Sequence, residues 1–421
     1  MDAKVELATL LRPAGAGIYL VSAGREEQLA LQRRLYDVTD ERAVRTKFEA
    51  AIDRLTNPET RVAMLAVPSD VGAGFRRGAN LGPQALRTEL LAQVPDWNRE
   101  SASLGVVDLG DVFVVPQLLT DEMLSPAQLE RARRAIYPDL SPGARDTLPV
   151  SPLSIAERAW DLIFLLAPHI APVVLGGDHS TAYPAVAALS RVRKNFGIVQ
   201  PDAHTDLLEE RMGIRLCFAT WSFHANRLIG GGGRLVQVGI RQTRFPRSHW
   251  EQSLDVRQFW ADECLADPRA ALRAILDHVK ATGVRGVYFS NDIDGTDEAF
   301  VDATGTPEAG GVAPAFIEEL IEALGREVGI IGGDVMELAP LLGDRPDSRE
   351  RTVRIATSYL RKTLSAILTS PPTAPGTLAI PLRTVIRASR QGSRVAQRRW
   401  PHLLQSAPSR PGLARLPTAC R

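Results

Sequence analysis

Six carboxylate and imidazole side chains fall in three short motifs, each placed directly after a run of apolar residues. They are His179 in "GGDHS", Asp202, His204 and Asp206 in "DAHTD", and Asp292 and Asp294 in "SNDID". In an extended chain, residues two apart face the same way, so the members of each motif are expected to share a face. Four carboxylates brought together raise one another's pKa values, and two divalent cations would offset their charge. The motifs therefore predict a site for two metal ions.

The donor types indicate which metal this site prefers. Four Asp and two His without any Cys make a hard, oxygen-rich set, which favours manganese over zinc, although zinc also binds such sites tightly. Two such ions lower the pKa of a shared water and hold it as hydroxide against an electrophilic carbon. Each motif alone has a structural interpretation as a turn or a helix N-cap. Their joint occurrence predicts a dimanganese centre.

The elements that would position these residues form a repeating pattern. Between Val62 and Thr369, short apolar runs that end in polar or Gly-rich loops alternate with longer stretches of helical periodicity. This pattern is typical of a parallel sheet covered by helices on both faces. Ligands of such sheets bind beyond the carboxyl ends of the strands, so motifs at those ends are expected to converge.

Three segments are predicted from composition: residues 1–60 as an N-terminal helical extension, 61–370 as the catalytic domain and 371–421 as a tail. Residues 25–57 show helical spacing and predict two helices. The tail has nine Arg and no Lys, Asp or Glu, so the rest of a chain of net charge +1 is acidic. Its Pro-, Ser- and Arg-rich composition predicts disorder. A polyanion-binding arm is the alternative, and the single aromatic residue Trp400 argues against nucleic-acid binding.

The remaining composition describes an ordinary globular protein of 421 residues with 44% hydrophobic residues. No run approaches the roughly 18–20 apolar residues that span a bilayer, and the first residues do not read as a signal peptide. We therefore expect a cytoplasmic protein without membrane partners. Cys217, Cys264 and Cys420 are widely spaced and form no CxxC pattern, which predicts free thiols.

The motifs together resemble those of the ureohydrolase family, the arginases, agmatinases and their relatives. The resemblance rests on "GGDHS", "DAHTD", "SNDIDGTDEAFVDATGTPEAGG" and "GGDVMELAP", and upstream on "VPSDVGAGFRRGANLGPQALR" and "VVDLGDV". It covers about Val62 to Leu368. It implies a three-layer α/β/α fold around a mostly parallel eight-stranded sheet, two Mn(II) ions per subunit, a guanidino or amidino substrate, and a homo-oligomer, either a trimer or a hexamer.

The resemblance also implies how the six ligands divide between the ions. One metal would be held by His179, Asp202, Asp206 and Asp292, and the other by Asp202, His204, Asp292 and Asp294. Asp202 and Asp292 would then bridge the two metals.

Glu337 in "GGDVMEL" matches the family's carboxylate for the planar substrate cation. A guanidinium fork suits a carboxylate bidentately and fixes the reacting carbon. The alternative is an N-cap or a solvated loop carboxylate. Thr306 and Gly305 in "TGTP" are expected to shape the pocket wall by close backbone approach. Together with Glu337, we count the ligand Asp206 among the catalytic residues.

The chain departs from the family pattern in two places. Glu298 and Asp302 stand where the family usually has Pro, and Ala303 where it has Gly, so Asp302 is expected to add negative charge near the cleft. Aligning "CFAT" with the family's "SHGT" puts Phe218 where a proton-shuttling His would sit. His224 is a candidate catalytic replacement for that shuttle; a loop histidine without a catalytic role is the alternative.

These features predict a manganese-dependent, agmatinase-like hydrolase that splits a linear guanidino compound into urea and an amine. Arginine is expected to be a poor substrate, because Leu207 and Leu208 offer no hydrogen bond where arginine-specific relatives hold the α-carboxylate. Agmatine or an ω-guanidino acid is expected instead. The alternatives are a formimino-group hydrolase that releases formamide, and a metal-binding relative without catalytic activity.

Overall fold

The computed structural model describes residues 1–18 and 24–370, and the tail predicted for 371–421 lies outside them. Within the described residues the fold centres on one sheet of nine strands. The strands are β1 Leu11–Arg12, β2 Val62–Ala66, β3 Val106–Val112, β4 Ala171–Leu175, β5 Gly197–Pro201, β6 Leu235–Ile240, β7 Arg257–Trp260, β8 Val287–Asp292 and β9 Ile330–Met336.

Eight of these strands, β2 to β9, run parallel, as the alternating pattern predicts. These strands are four to seven residues long, and nearly all of their residues are buried because helices cover both faces of a parallel sheet. The ninth strand, β1, forms one edge of the sheet and pairs antiparallel with β3, with Leu11 opposite Val112. Two residues are too short to show a period, so sequence analysis did not predict this strand.

Fifteen α-helices connect and cover the strands in the described part of the chain. They are α1 Ala3–Leu10, α2 Arg25–Tyr36, α3 Glu41–Arg54, α4 Gly82–Gln93, α5 Trp97–Ser103, α6 Pro126–Ile136, α7 Pro142–Arg145, α8 Pro152–Leu166, α9 Tyr183–Val192, α10 Trp221–Ile229, α11 Arg247–Leu254, α12 Ala261–Ala266, α13 Pro268–Ala281, α14 Pro314–Glu327 and α15 Ser348–Thr369.

The helices group into two sets that make the outer layers of an α/β/α fold. In the first set, α8 packs between α1 and α9, and α9 also contacts α10. In the second set, α15 packs between α4 and α14, and α14 also contacts α13. In α14, Phe316, Ile317, Leu320, Ile321 and Leu324 are buried, the spacing of an amphipathic helix whose apolar face covers the core. None of the described helices is long and apolar enough to cross a membrane.

The helices of residues 1–60 pack on the same body as the sheet. Helix α1 contacts α8, and α3 contacts β3. Leu7, Leu10 and Phe48 are fully buried there. The two helices predicted within residues 25–57 are α2 and α3, and α1 precedes them. The boundary near residue 60 stays a prediction.

Strand order explains why the three motifs meet. The sheet order is β1-β3-β2-β4-β9-β8-β5-β6-β7, so β4, β9, β8 and β5 are consecutive neighbours. The carboxyl ends of these four strands, with the segments directly after them, carry "GGDHS", "GGDVMEL", "SNDID" and "DAHTD". Because the strands are parallel, all four segments leave the sheet at the same edge.

Candidate metal centre

The six candidate ligands lie together and are called the metal cluster: His179, Asp202, His204, Asp206, Asp292 and Asp294. His179 lies at the middle of this cluster, fully buried at the start of the 3₁₀ turn His179–Ala182 that follows β4. Its Nδ1 lies 2.9 Å from Asp292 Oδ2. Its Nε2 lies 3.0 Å from the hydroxyl of Ser290. The ring stacks on Trp221 with a centroid distance of 4.4 Å. Contacts on both nitrogens and on one ring face fix the imidazole in a single orientation.

Asp202 lies between the two imidazoles of the cluster. Its Oδ2 is 3.4 Å from His179 Nδ1, and its Oδ1 is 3.6 Å from His204 Nδ1. The side-chain amide of Gln200 donates to Oδ2 at 2.7 Å, and the backbone N–H of His204 donates to Oδ1 at 2.6 Å. One carboxylate therefore faces both histidines, the placement expected of a bridging ligand.

Asp206 reaches the cluster through a left-handed backbone conformation, with φ of 52°. Its Oδ2 accepts a hydrogen bond from the indole N–H of Trp221 at 3.1 Å and lies 3.5 Å from His179 Nδ1. Strand β5 has already ended at Pro201. The assumption of an extended chain through "DAHTD" is therefore wrong, because the residues converge through a bent loop.

The same correction applies to Asp292 and Asp294. Strand β8 ends at Asp292, and Ile293–Gly295 forms a 3₁₀ turn in which Asp294 N–H donates to Asp292 Oδ1 at 2.9 Å. Asp294 Oδ2 lies 3.1 Å from His204 Nδ1 and accepts from the Thr306 hydroxyl at 2.9 Å. A capped turn, and not strand alternation, brings the two carboxylates to one site.

Donor atoms in this cluster form two overlapping groups, each with all atoms within 4.8 Å of one another. The groups are His179, Asp202 and Asp206, and Asp202, His204 and Asp294. Asp292 joins the first through its contact with His179. Asp202 belongs to both, so the donors suit two cations that share a ligand.

Electrostatics also favours cations at this place. Burial, reinforced by the charges of neighbouring carboxylates, raises the pKa values of Asp206 and Asp292 well above the usual range. For Asp202, burial acts in the same direction, but hydrogen bonds with His179 and His204 outweigh it and lower the pKa. A cluster of buried carboxylates that resists ionisation is stabilised by divalent cations, which favour the charged form. The residues present therefore fit a binuclear metal centre.

Glu337 follows β9 and is buried beside the cluster. Its Oε1 accepts a hydrogen bond from the backbone N–H of His179 at 2.8 Å, and burial followed by the charge of Asp178 raises its pKa well above the usual range. Its backbone has φ of 60°, an uncommon conformation for a residue with a side chain. A methyl group on Gly305 would lie 3.9 Å from Glu337 Oε2, so Gly305 and Thr306 line the space around this carboxylate and Asp294.

Several buried residues around the cluster were not found from the sequence. The Ser290 hydroxyl, which contacts His179 Nε2, donates a hydrogen bond to Asp334 Oδ2 at 2.9 Å. Ser290 therefore connects the imidazole of His179 to the carboxylate of Asp334. Gln200 holds Asp202, and its own amide oxygen accepts from Ser222 and Gln237. Ser290 lies two residues before Asp292 on the same strand, and this period-2 spacing is the one signal that would have indicated it.

His224 lies on α10, where its Nε2 contacts the backbone carbonyls of Arg215 at 2.8 Å and Glu209 at 3.0 Å. Among the described residues, no hydrogen bond joins its ring to the six candidate ligands. The preceding residue, Phe223, donates its backbone N–H to the carbonyl of Asp206 at 3.3 Å. Burial, with the charge of Arg215, lowers the pKa of His224.

The negative charge of Asp302 is neutralised by pairing. Its two oxygens accept from Arg345 at 3.0 Å and Arg351 at 2.9 Å, and the Ser348 hydroxyl adds a bond at 2.6 Å. The expectation of added negative charge near the cleft is therefore wrong. The carboxylate joins the loop after β8 to α15 and its preceding turn instead.

Comparison with known proteins places this geometry in a family. Residues 60–365 match the family model described as the arginase family. The mitochondrial agmatinase of Gallus gallus is 31% identical over 292 residues, which cover 66% of this chain and 74% of that protein. The guanidinobutyrase of Pseudomonas aeruginosa is 29% identical over 287 residues, covering 66% of this chain and 78% of that one.

Among solved structures, the fold is similar to that of the proclavaminate amidino hydrolase from Streptomyces clavuligerus. The two share a TM-score of 0.57 and 26% sequence identity, over 75% of this chain and 95% of that chain.

Proposed function

Since this chain belongs to the arginase family, whose members hydrolyse carbon–nitrogen bonds of guanidino compounds, we propose that it is a manganese-dependent, agmatinase-like hydrolase that releases urea and an amine. The observation that supports this function best is the placement of Glu337 next to a cluster that fits two metals. A homo-oligomer and a cytoplasmic location remain part of the proposal.

The six cluster residues would hold the two ions, with Asp202 and Asp292 as the shared ligands. Bound divalent ions supply Lewis acidity and lower the pKa of a water shared between them. The protein contributes the fixed positions of its donors. Gln200 orients Asp202, Trp221 orients both His179 and Asp206, and the turn at Ile293 orients Asp294.

Glu337 is proposed to bind the guanidinium of the substrate. One of its oxygens is held by the N–H of His179, so the carboxylate has a fixed position beside the six candidate ligands. A planar cation bound to it would present its central carbon to the cluster, which reduces the entropic cost of reaching the transition state. Burial raises the pKa of the free carboxylate, and a bound guanidinium would favour its charged form.

The distal part of the substrate is expected to lack the α-amino acid group of arginine. Leu207 is buried and Leu208 is half exposed just after Asp206, so an α-carboxylate there would lose its hydration without gaining a hydrogen bond. We expect kcat/KM for agmatine or an ω-guanidino acid to exceed that for arginine by at least about 10²-fold. Steady-state assays with Mn(II)-loaded protein measure this ratio, and a preference for arginine would contradict the proposed pocket.

Product identification tests the reaction itself. Mn(II)-loaded protein is incubated with agmatine, guanidinobutyrate, guanidinopropionate and a formimino compound, and urea and formamide are measured separately. The proposal predicts urea with an equimolar amine. Formamide as the sole product would identify a formimino-group hydrolase. Metal-loaded protein that forms neither product would identify a relative without this catalytic activity.

His224 remains the proposed source of the proton for the leaving amine. If it delivers this proton, His224→Asn lowers kcat by about 10²-fold at unchanged metal content. His249→Asn is the matched control, since His249 lies on α11, where its ring stacks on Phe245. Near-normal turnover of His224→Asn would reduce this residue to a structural role, in which its Nε2 binds the carbonyls of Glu209 and Arg215.

A further inference from the structure

The imidazole of His204 faces carboxylates on both of its nitrogens. Nδ1 lies 3.1 Å from Asp294 Oδ2 and 3.6 Å from Asp202 Oδ1. Nε2, on the other side of the ring, lies 3.6 Å from Glu308 Oε1. This last separation is longer than a hydrogen bond and is an electrostatic contact. Both side chains are about one quarter exposed, 28% for His204 and 26% for Glu308, so the pair lies at the open side of the metal cluster.

Glu308 is held in this place by two residues of the segment after β6. The side-chain amide of Gln242 donates to Glu308 Oε2 at 2.8 Å. The guanidinium of Arg241 donates to the backbone carbonyl of Glu308 at 2.9 Å and to that of Ala309 at 3.2 Å. A partly exposed glutamate is ordinarily free to sample several rotamers. Here one carboxylate oxygen is bound, which leaves the other facing His204.

The same segment also fixes the backbone of the metal cluster. Gln242 forms a parallel bridge with His204, and its N–H donates to the carbonyl of Ala203 at 3.0 Å. Arg241 donates to the carbonyl of Asp294 at 2.7 Å. Glu308 is therefore tied to the two residues that flank it in the cluster, His204 and Asp294, through shared partners.

We propose that Glu308 is a positioning residue that orients His204 toward the second metal. With Nε2–H directed at Glu308, the lone pair of Nδ1 is directed at Asp202 and Asp294, where that ion would bind. A carboxylate on the outer nitrogen of a ligating histidine fixes its tautomer and ring orientation and makes it a stronger ligand. This inference rests on the proposed metal centre and adds a residue outside the six ligands.

The other histidine of the cluster has a different outer partner. His179 Nε2 meets the neutral hydroxyl of Ser290 deep in the core, and its ring is stacked on Trp221. Loss of the Glu308 carboxylate is therefore expected to lower the affinity for the metal held by His204. The affinity for the metal held by His179 is expected to stay almost unchanged. This selectivity separates the proposal from a general effect on folding.

Titration of the metal-stripped protein with Mn(II) tests the proposal, with free Mn(II) followed by electron paramagnetic resonance. The wild type is expected to bind two ions per subunit. In Glu308→Gln, the affinity for one ion is expected to fall by about 10- to 100-fold, while the other stays within about twofold. Glu298→Gln is the matched control, because it removes the same charge from an exposed residue of the same loop, and it is expected to behave as the wild type.

A second variant tests the anchoring without removing the carboxylate. Gln242→Leu keeps the His204 and Glu308 side chains but deletes the hydrogen bond to Glu308 Oε2. The affinity for the same Mn(II) ion is therefore expected to fall by a smaller factor than in Glu308→Gln. Circular dichroism and melting temperature verify that each variant is folded. Wild-type affinity for both ions in Glu308→Gln would overturn the proposal.

Substrate kinetics distinguish this role from direct substrate binding and from failure of the proposed function. If Glu308→Gln keeps both metals but raises KM for agmatine alone, and not for guanidinobutyrate, the carboxylate binds a substrate ammonium and the positioning role is wrong. If the wild type releases no urea from any guanidino compound, the proposed function fails, while the Mn(II) titration still decides the role of Glu308.

Discussion

Asp202→Ala and Asp292→Ala are each expected to lose both metal ions and nearly all activity. Asp202 places one oxygen near His179 and the other near His204, so its removal takes a ligand from both donor groups. Asp292 contacts His179 at 2.9 Å and accepts the N–H that shapes the turn to Asp294. Each metal ion depends on its complete set of ligands for tight binding, so loss of a ligand that both ions share lowers the affinity for both. Metal content by mass spectrometry after gel filtration, with urea release in parallel, measures the effect.

Asp161→Ala is the matched control for these two variants. Asp161 is a partly buried aspartate on α8 that pairs with Arg191 away from the site. Its loss is expected to lower stability slightly and to leave two metals per subunit. Retention of two metals by Asp202→Ala or by Asp292→Ala would show that the residue concerned is not a shared ligand.

The second large effect is expected at Glu337. Glu337→Gln is expected to keep both metals and to lower kcat/KM for the best guanidino substrate by roughly 10³-fold, because two charge-assisted hydrogen bonds to a buried cation are lost. Because the carboxylate would also fix the position of the reacting carbon beside the candidate ligands, kcat is expected to fall as well as KM to rise. Steady-state kinetics at saturating Mn(II) separate the two parameters.

A matched variant keeps this result interpretable. Glu350→Gln neutralises an exposed glutamate in the first turn of α15, and we expect wild-type kinetics from it. The Glu337 assignment would be wrong if Glu337→Gln retained both wild-type KM and kcat. Loss of metal in Glu337→Gln would instead indicate that its contact with the His179 N–H is needed for the cluster geometry.

The sequence reveals the motifs because each lies at the carboxyl end of a strand or directly after it. An apolar run that ends in Asp or His is a local signal, and parallel strands place such ends at one edge of the sheet. This reasoning predicted the fold class and the convergence of His179, Asp202 and Asp292. It did not predict the turns at Asp206 and Asp294, since left-handed and 3₁₀ conformations depend on local hydrogen bonds that no period reveals.

Contacts between side chains that are far apart in the sequence could not be predicted, for a different reason. Asp302 looked like an added charge, because Arg345 and Arg351, which pair with it, follow more than 40 residues later. Glu308 and Gln242 are likewise 66 residues apart. Predicting such pairs requires knowledge of the strand order. In the sheet, β6 and β8 flank β5, so the segments after β6 and β8 come close together.

Reconstitution of the wild-type protein tests whether urea release depends on two bound metal ions. The protein is stripped with a chelator, its metal content is measured, and urea release from agmatine and guanidinobutyrate is assayed before and after addition of Mn(II). We expect urea release to be absent from the stripped protein and to return with the binding of two ions per subunit. Urea release by the metal-free protein, or two bound ions without urea from any guanidino compound, would contradict it.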